Sequence, residues 1–181
     1  SLLWRFPRGK ALGGLSLAVG VAVAEVLREQ GVEAVALKWP NDILLAGRKL
    51  GGILVEADSG APDAVVIGLG LNLRLPADLP PELATVAAAL GEGWDRASLL
   101  ARLLTAQRQV LDLFSRQGFS PLRQRWLALH AFDGAMVQVS SSFSAPVSGW
   151  CQGIDDDGAL LLETDAGRQR IISGDVSLRP A

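Results

Sequence analysis

Two short stretches concentrate the residue types that could do chemistry. Lys38-Trp39-Pro40-Asn41-Asp42-Ile43 is followed shortly afterwards by Arg48-Lys49-Leu50-Gly51-Gly52-Ile53-Leu54-Val55-Glu56. Together they offer two lysines, a carboxylate, a side-chain amide and a glycine pair on what reads as a strand–turn–hairpin unit. Neighbouring lysines suit a polyanion such as a nucleotide phosphate, because each adds a point charge with three donors. An aspartate beside them can hold Mg2+ or accept a proton from an attacking amine. Glycines let a ligand or a neighbouring strand lie against bare backbone. Gly68 and Gly70, two apart within Asp63 to Leu73, fall on one face of a strand and carry the same implication. A plainer reading stands beside this one. Pro, Asn and Asp build turns anyway, and Lys38 and Lys49 would then be solvated charges at strand ends.

The rest of the chain narrows the field. Its 181 residues suffice for one ordinary domain and a small appendage, and 49% apolar with 20% charged residues is the profile of a folded chain. A formal net charge of −2 and a pI near 5.4 give no electrostatic footprint for nucleic acid. The single cysteine, Cys151, makes no internal disulfide, has no histidine near it in sequence and reads as structural. The single histidine, His130, excludes a His-rich zinc site. The mean hydropathy is +0.29, yet the most apolar run, Ala11 to Ala24, is too short to span a bilayer. The opening residues lack the basic region and small-residue cleavage site of a signal peptide, and with a single cysteine a cytoplasmic location is expected.

The elements that must position these groups can be read from pattern. Ser1 to Phe6 resembles the middle of a strand, and Arg5 to Lys10 a proline-interrupted surface loop. Leu15 to Gln30 predicts a helix apolar around most of its face, stopped by Gly31. Val32 to Lys38, Ile43 to Ala46, Leu50 to Ala57 and Asp63 to Leu73 predict strands, and Arg74 to Pro81 a loop. Two helices follow, from Asp95 to Gln117 with Asp95 or Ser98 as cap, and from Ser120 to His130 with Pro121 at its first position. Beyond Asp133 the character changes. Met136–Ser140, Ala145–Ile154, Gly158–Glu163 and Arg168–Ser173 predict short strands of a small barrel, docked on the larger domain. Domains of residues 1–133 and 134–181 are therefore expected.

The string Lys-Trp-Pro-Asn-Asp-Ile followed by Arg-Lys-Leu-Gly-Gly-Ile-Leu-Val-Glu closely resembles the signature of biotin–protein ligases. Gly14-Leu15-Ser16-Leu17-Ala18-Val19-Gly20 looks like the family's central helix, and Val66-Ile67-Gly68-Leu69-Gly70-Leu71-Asn72 like its later core strand. Gly153-Ile154-Asp155, Gly158 to Leu162 and Ser173 to Arg179 look like its SH3-like C-terminal barrel. The match runs along essentially the whole chain in order.

That resemblance implies an α+β fold: a mixed or antiparallel sheet packed with helices, related to class II aminoacyl-tRNA synthetases, followed by the SH3-like barrel. It implies ATP-dependent formation of biotinyl-5′-AMP and transfer of biotin to a lysine of a biotin carboxyl carrier protein, with biotin, ATP and Mg2+ as ligands. By the same resemblance Lys49 contacts biotin and adenylate, and Lys38 and Asn41 face the phosphates. Asp42 takes the metal or a proton from the incoming amine. Gly52, Gly68 and Gly70 back the biotin rings, and Asn72 lies beside the adenylate. Trp39 reads as core. It is also compatible with a homodimer, and assigns no nucleic-acid or membrane role to these residues. Two departures matter. The family's Gly/Arg-rich loop precedes the strand where this sequence begins, which points to a chain lacking an upstream part. Leu83 stands where some members carry a Trp that stacks on adenine. A lipoate or octanoyl transferase and a non-catalytic biotin-binding module are the alternatives.

Overall fold

A computed structural model describes residues 1–58, 61–141, 144–172 and 176–180. Helix α1 (Leu15–Glu29) lies at its centre. It carries no charge before Glu25, and every residue from Leu17 to Ala24 is buried. So apolar a helix must be covered on several sides. A five-stranded sheet covers one, and α3 (Arg96–Gln117) and α4 (Arg123–Leu127) cover others. The helix ends as its sequence predicts. Gly31 takes a φ of 87°, and the Val32 N–H turns back to the Leu27 carbonyl at 3.0 Å. That exit turn uses residues expected to be strand, so β2 (Val35–Lys38) starts later than the pattern suggested.

The sheet is completed by β1 (Leu2–Arg5), β3 (Asp42–Leu45), β4 (Arg48–Asp58) and β5 (Ala61–Leu71). Its order is β1-β5-β4-β3-β2, and every ladder is antiparallel. Among the described residues parallel pairing is confined to two isolated bridges, Leu37 with His130 and Lys49 with Ala87. The Pro-rich stretch after β5 contains one short helix, α2 (Pro81–Ala84). Asp95 caps α3 as predicted, accepting from the Ala97 and Ser98 amides at 3.1 and 3.3 Å. The helix expected from Ser120 to His130 is broken into a 3-10 turn at Ser120–Leu122 and the short α4. A competing partner ends it: Leu37 donates to the Leu129 carbonyl at 2.7 Å and accepts from the Ala131 N–H at 2.9 Å.

The C-terminal part is a second antiparallel sheet of β6 (Met136–Ser141), β7 (Ser144–Ile154), β8 (Leu160–Thr164), β9 (Gly167–Ile171) and β10 (Val176–Pro180). Its order is β10-β6-β7-β8-β9, and among the described residues no ladder joins β9 to β10. Strand β10 was not anticipated from pattern. Ser173, Gly174 and Asp175, read as strand end and family motif, lie outside the described residues. One apolar core runs through both sheets: Leu17, Trp39 and Trp126 share it with Cys151, Ile154 and Leu160. Each such side chain, fully buried, contributes roughly 1.5–3 kcal/mol. Among the described residues no helix is long and apolar enough to cross a membrane.

Candidate functional site

The turn between β2 and β3 brings Lys38 and Asp42 opposite each other as cross-strand partners. Asp42, 11% exposed, sits between two ammonium groups. Lys38 Nζ lies 2.9 Å from its Oδ2 and Lys49 Nζ 2.6 Å from its Oδ1. In a regular strand Lys49 and Gly52, three apart, would face opposite sides of the sheet. A bulge prevents this. The register slips between Ile43 and Leu44, so that Ile43 faces Gly51 while Leu44 faces Lys49. Lys49 Nζ thus reaches within 3.7 Å of where a Gly52 Cβ would stand. The backbone of Lys49 is held on its far side, its N–H by the Val86 carbonyl at 2.7 Å and its carbonyl by the Ala88 N–H at 2.8 Å.

The turn itself is fastened at each residue. Asn41 donates through Nδ2 to the Ile53 carbonyl, and its own carbonyl accepts from the Ile53 N–H, both at 2.9 Å. Ser16 Oγ donates to the Pro40 carbonyl at 3.1 Å. Trp39, fully buried as expected of core and joined to Pro40 by a cis peptide, donates through Nε1 to the Gly158 carbonyl at 3.1 Å.

Beside this triad β4 and β5 floor an open cleft of about 400 Å3. Gly52 faces Gly70 and Leu54 faces Gly68, so all four share the sheet face to which Asp42 and Lys49 point. A Cβ built on Gly52, Gly68 or Gly70 would meet nothing closer than 3.7, 3.6 and 3.9 Å respectively, which is ordinary contact. None of the three has a positive φ. The fold would accept a side chain at each, and each is bare. Gly51 is the contrast, because a Cβ there would stand 2.3 Å from the Gly70 carbonyl oxygen. That glycine serves the ladder, and the other three leave room for something flat.

Lys38, Asn41, Asp42, Lys49, Gly52, Gly68 and Gly70 are therefore brought together, with Lys38 joined through its ion pair to Asp42 rather than lining the cleft itself. Asn72 is not. Its Nδ2 donates to the Ala88 carbonyl at 3.0 Å, its N–H to Leu50, and its carbonyl accepts from Leu90. It latches the segment that holds Lys49. Leu83 stands exposed on α2. Leu54, exposed on the cleft floor, was missed, although it alternates with Gly52 on one strand face. Ser16 carried no signal of its own. As a metal ligand Asp42 does not fit: both oxygens are engaged by lysines, and among the described residues no three His, Cys, Asp or Glu side chains converge.

Residues 1–72 match the Biotin/lipoate A/B protein ligase family, and residues 144–179 match the Biotin protein ligase C terminal domain. A biotin–acetyl-CoA-carboxylase ligase from Paracoccus denitrificans is 34% identical over 190 residues, spanning 94% of this chain and 75% of that protein. The chain belongs to the biotin–protein ligase family. The bifunctional ligase/repressor BirA of Salmonella typhimurium is 40% identical over 187 residues, covering all of this chain. The chain spans 58% of that relative's length. Among solved structures, the Aquifex aeolicus biotin protein ligase in complex with biotin and ATP superimposes with a TM-score of 0.83 at 28% identity, over 95% of this chain and 73% of that one.

Proposed function

We propose that this member of the family carries the catalytic part of an ATP-dependent biotin–protein ligase. The reading rests on one observation above all. Three strand positions where the fold does not ask for glycine are bare, and they floor a cleft rimmed by Lys49 and Asp42. The compact fused rings of biotin, whose ureido ring is planar, suit such a floor, and the ammonium groups suit the phosphates of ATP. In the first step a biotin carboxylate oxygen attacks the α-phosphorus and pyrophosphate leaves. Lys49 and Lys38 offset the charge that builds on the phosphoryl oxygens. In this reading Asp42 orients both ammonium groups, one on each carboxylate oxygen. In the second step the amine of a carrier-protein lysine attacks the anhydride carbonyl, AMP leaves, and an amide remains. No covalent enzyme intermediate is required. Cys151, the only thiol of the chain, is buried in the second sheet, and burial pushes it up from its ordinary range. Mg2+ is assigned no protein ligand here, because the lysines already occupy Asp42. Residues 1–133 form the catalytic portion in this reading, and 134–181 a C-terminal module.

The test is biotin-dependent exchange of labelled pyrophosphate into ATP, followed by mass spectrometry of a carrier domain. Biotin supporting exchange and adding its mass to one carrier lysine is the expected result. Exchange with lipoate instead of biotin would assign the chain to lipoate attachment. Tight biotin binding without exchange would make it a binding module.

A further inference from the structure

The signature turn is held from a direction that its own sheet does not provide. Trp39 precedes Pro40, Asn41 and Asp42, and its buried indole N–H ends on Gly158, in the turn between β7 and β8 of the second sheet. That turn is pressed into a seat made by the start of α1. A Cβ on Gly158 (φ 82°) would stand 2.6 Å from Gly14 Cα, and one on Gly13 would stand 3.0 Å from the Asp157 carbonyl oxygen. Bare backbone at both positions allows an approach that side chains would forbid. The turn is also stiff. Asp155 Oδ1 accepts from the Asp157 and Ala159 amides, each at 2.9 Å, and Asp155 Oδ2 from Arg170. Arg123 adds a bond from the first part of the chain to the Ile154 carbonyl at 2.7 Å. The same first turn of α1 supplies Ser16, which holds the Pro40 carbonyl. Trp39 and Pro40 are thus gripped together by α1 and by the C-terminal module.

We propose that the turn Asp155–Ala159 of the C-terminal module positions the catalytic turn, with Trp39 as the positioning residue that transmits the hold to Asp42 and its two lysines. The inference rests on the ligase reading for its kinetic consequence, but not for its structural one. Trp39 neither lines the cleft nor is a member of Asp42's ion pairs, so loosening it displaces reacting groups while leaving the glycine floor intact. Misplacement of about 1 Å is enough to lower rates by one or two orders of magnitude.

The experiment uses Trp39→Phe in the full chain, which keeps an aromatic ring and removes only the donor, and Asp155→Ala, which softens the turn from the other side. Two readouts are taken, steady-state adenylation kinetics and amide hydrogen exchange. For Trp39→Phe the expected result is a fall in kcat of about tenfold, a KM for biotin within about twofold, and faster exchange at residues 38–43 but not along β5. Asp155→Ala changes the same quantities in the same direction by less. A wild-type kcat in Trp39→Phe, whatever its melting temperature, overturns the proposal. So does unchanged exchange at residues 38–43 in both variants. A wild-type chain without biotin-dependent turnover would count against the ligase reading, and exchange would still decide the coupling. Should Trp39→Phe not fold, Asp155→Ala decides both.

Discussion

His130 offers a sharp quantitative test, because it is the only histidine in the chain. Its ring lies against Trp126 with centroids 4.4 Å apart, and both ring nitrogens are shielded with no partner among the described residues. Burial pushes the imidazole down to about 4, against a smaller upward pull from the Asp133 carboxylate. In the unfolded chain it protonates near its ordinary value of 6.5. Between these values the unfolded chain holds a proton that the native state does not. Stability is therefore untouched above pH 6.5 and falls as pH drops, by about 1.4 kcal/mol per unit, reaching about 2 kcal/mol at pH 5 and roughly 3 at pH 4. His130→Phe keeps a ring against Trp126, removes the proton site and breaks no hydrogen bond. Urea unfolding of wild type and variant from pH 7.5 to 4.5 isolates the term, since the carboxylates common to both cancel in the difference. The variant should match wild type within about 0.5 kcal/mol at pH 7.5 and exceed it by about 2 kcal/mol at pH 5. The imidazole proton resonances, free of overlap from other histidines, report the titration directly. A ring titrating near 6.5, or a stability difference flat with pH, would refute the argument.

Other consequences bear on the site. Lys49→Ala should weaken biotin and biotinyl-adenylate by roughly ten- to a hundredfold in calorimetry, the worth of a charge-assisted bond of about 1.5–3 kcal/mol; wild-type affinities would remove Lys49 from the site. Asp42→Asn should lower single-turnover rates of both half-reactions far more than it changes biotin affinity, because its effect falls mainly on the transition state. Gly70→Val should leave the melting temperature within a few degrees while weakening biotin by at least about tenfold, since the ring loses its floor. Gly51→Ala should do the reverse, destabilising by about 1–3 kcal/mol through collision with the Gly70 carbonyl; the pair of melting curves separates a fold glycine from a site glycine.

What could be read in advance was whatever depends on local chemistry. The period of α1, the Asp95 cap, the glycine stop at Gly31 and the β3–β4 hairpin all lie within a few residues of their causes. The clustering of Lys38, Asn41, Asp42 and Lys49 has the same origin, because they sit on one contiguous unit. The failures share a different origin. The helix expected through His130 stops because Leu37, some ninety positions earlier, claims its backbone. The bulge that turns Lys49 onto the face of Gly52 leaves no mark in a sequence whose alternation looks regular. Ser16 and Gly158 matter only through what they touch, and neither partner is near in sequence.

The strand orders carry a consequence for how the chain reaches its native state. In each sheet four strands follow one another as a simple meander, and one joins from far away: Leu2 pairs with Ile67, and Val176 with Ser141. Closing those long loops costs entropy that the hairpins do not face, so the meanders form first and β1 and β10 dock late. As β5 leaves the ribosome its outer edge is bare, and β1, made much earlier, must be kept from other partners until that edge appears. The glycine floor lies next to that seam, along Gly68 and Gly70. The pocket is thus among the last features to set, and a chain stalled before β1 docks would present an open strand edge to its neighbours, the usual beginning of aggregation.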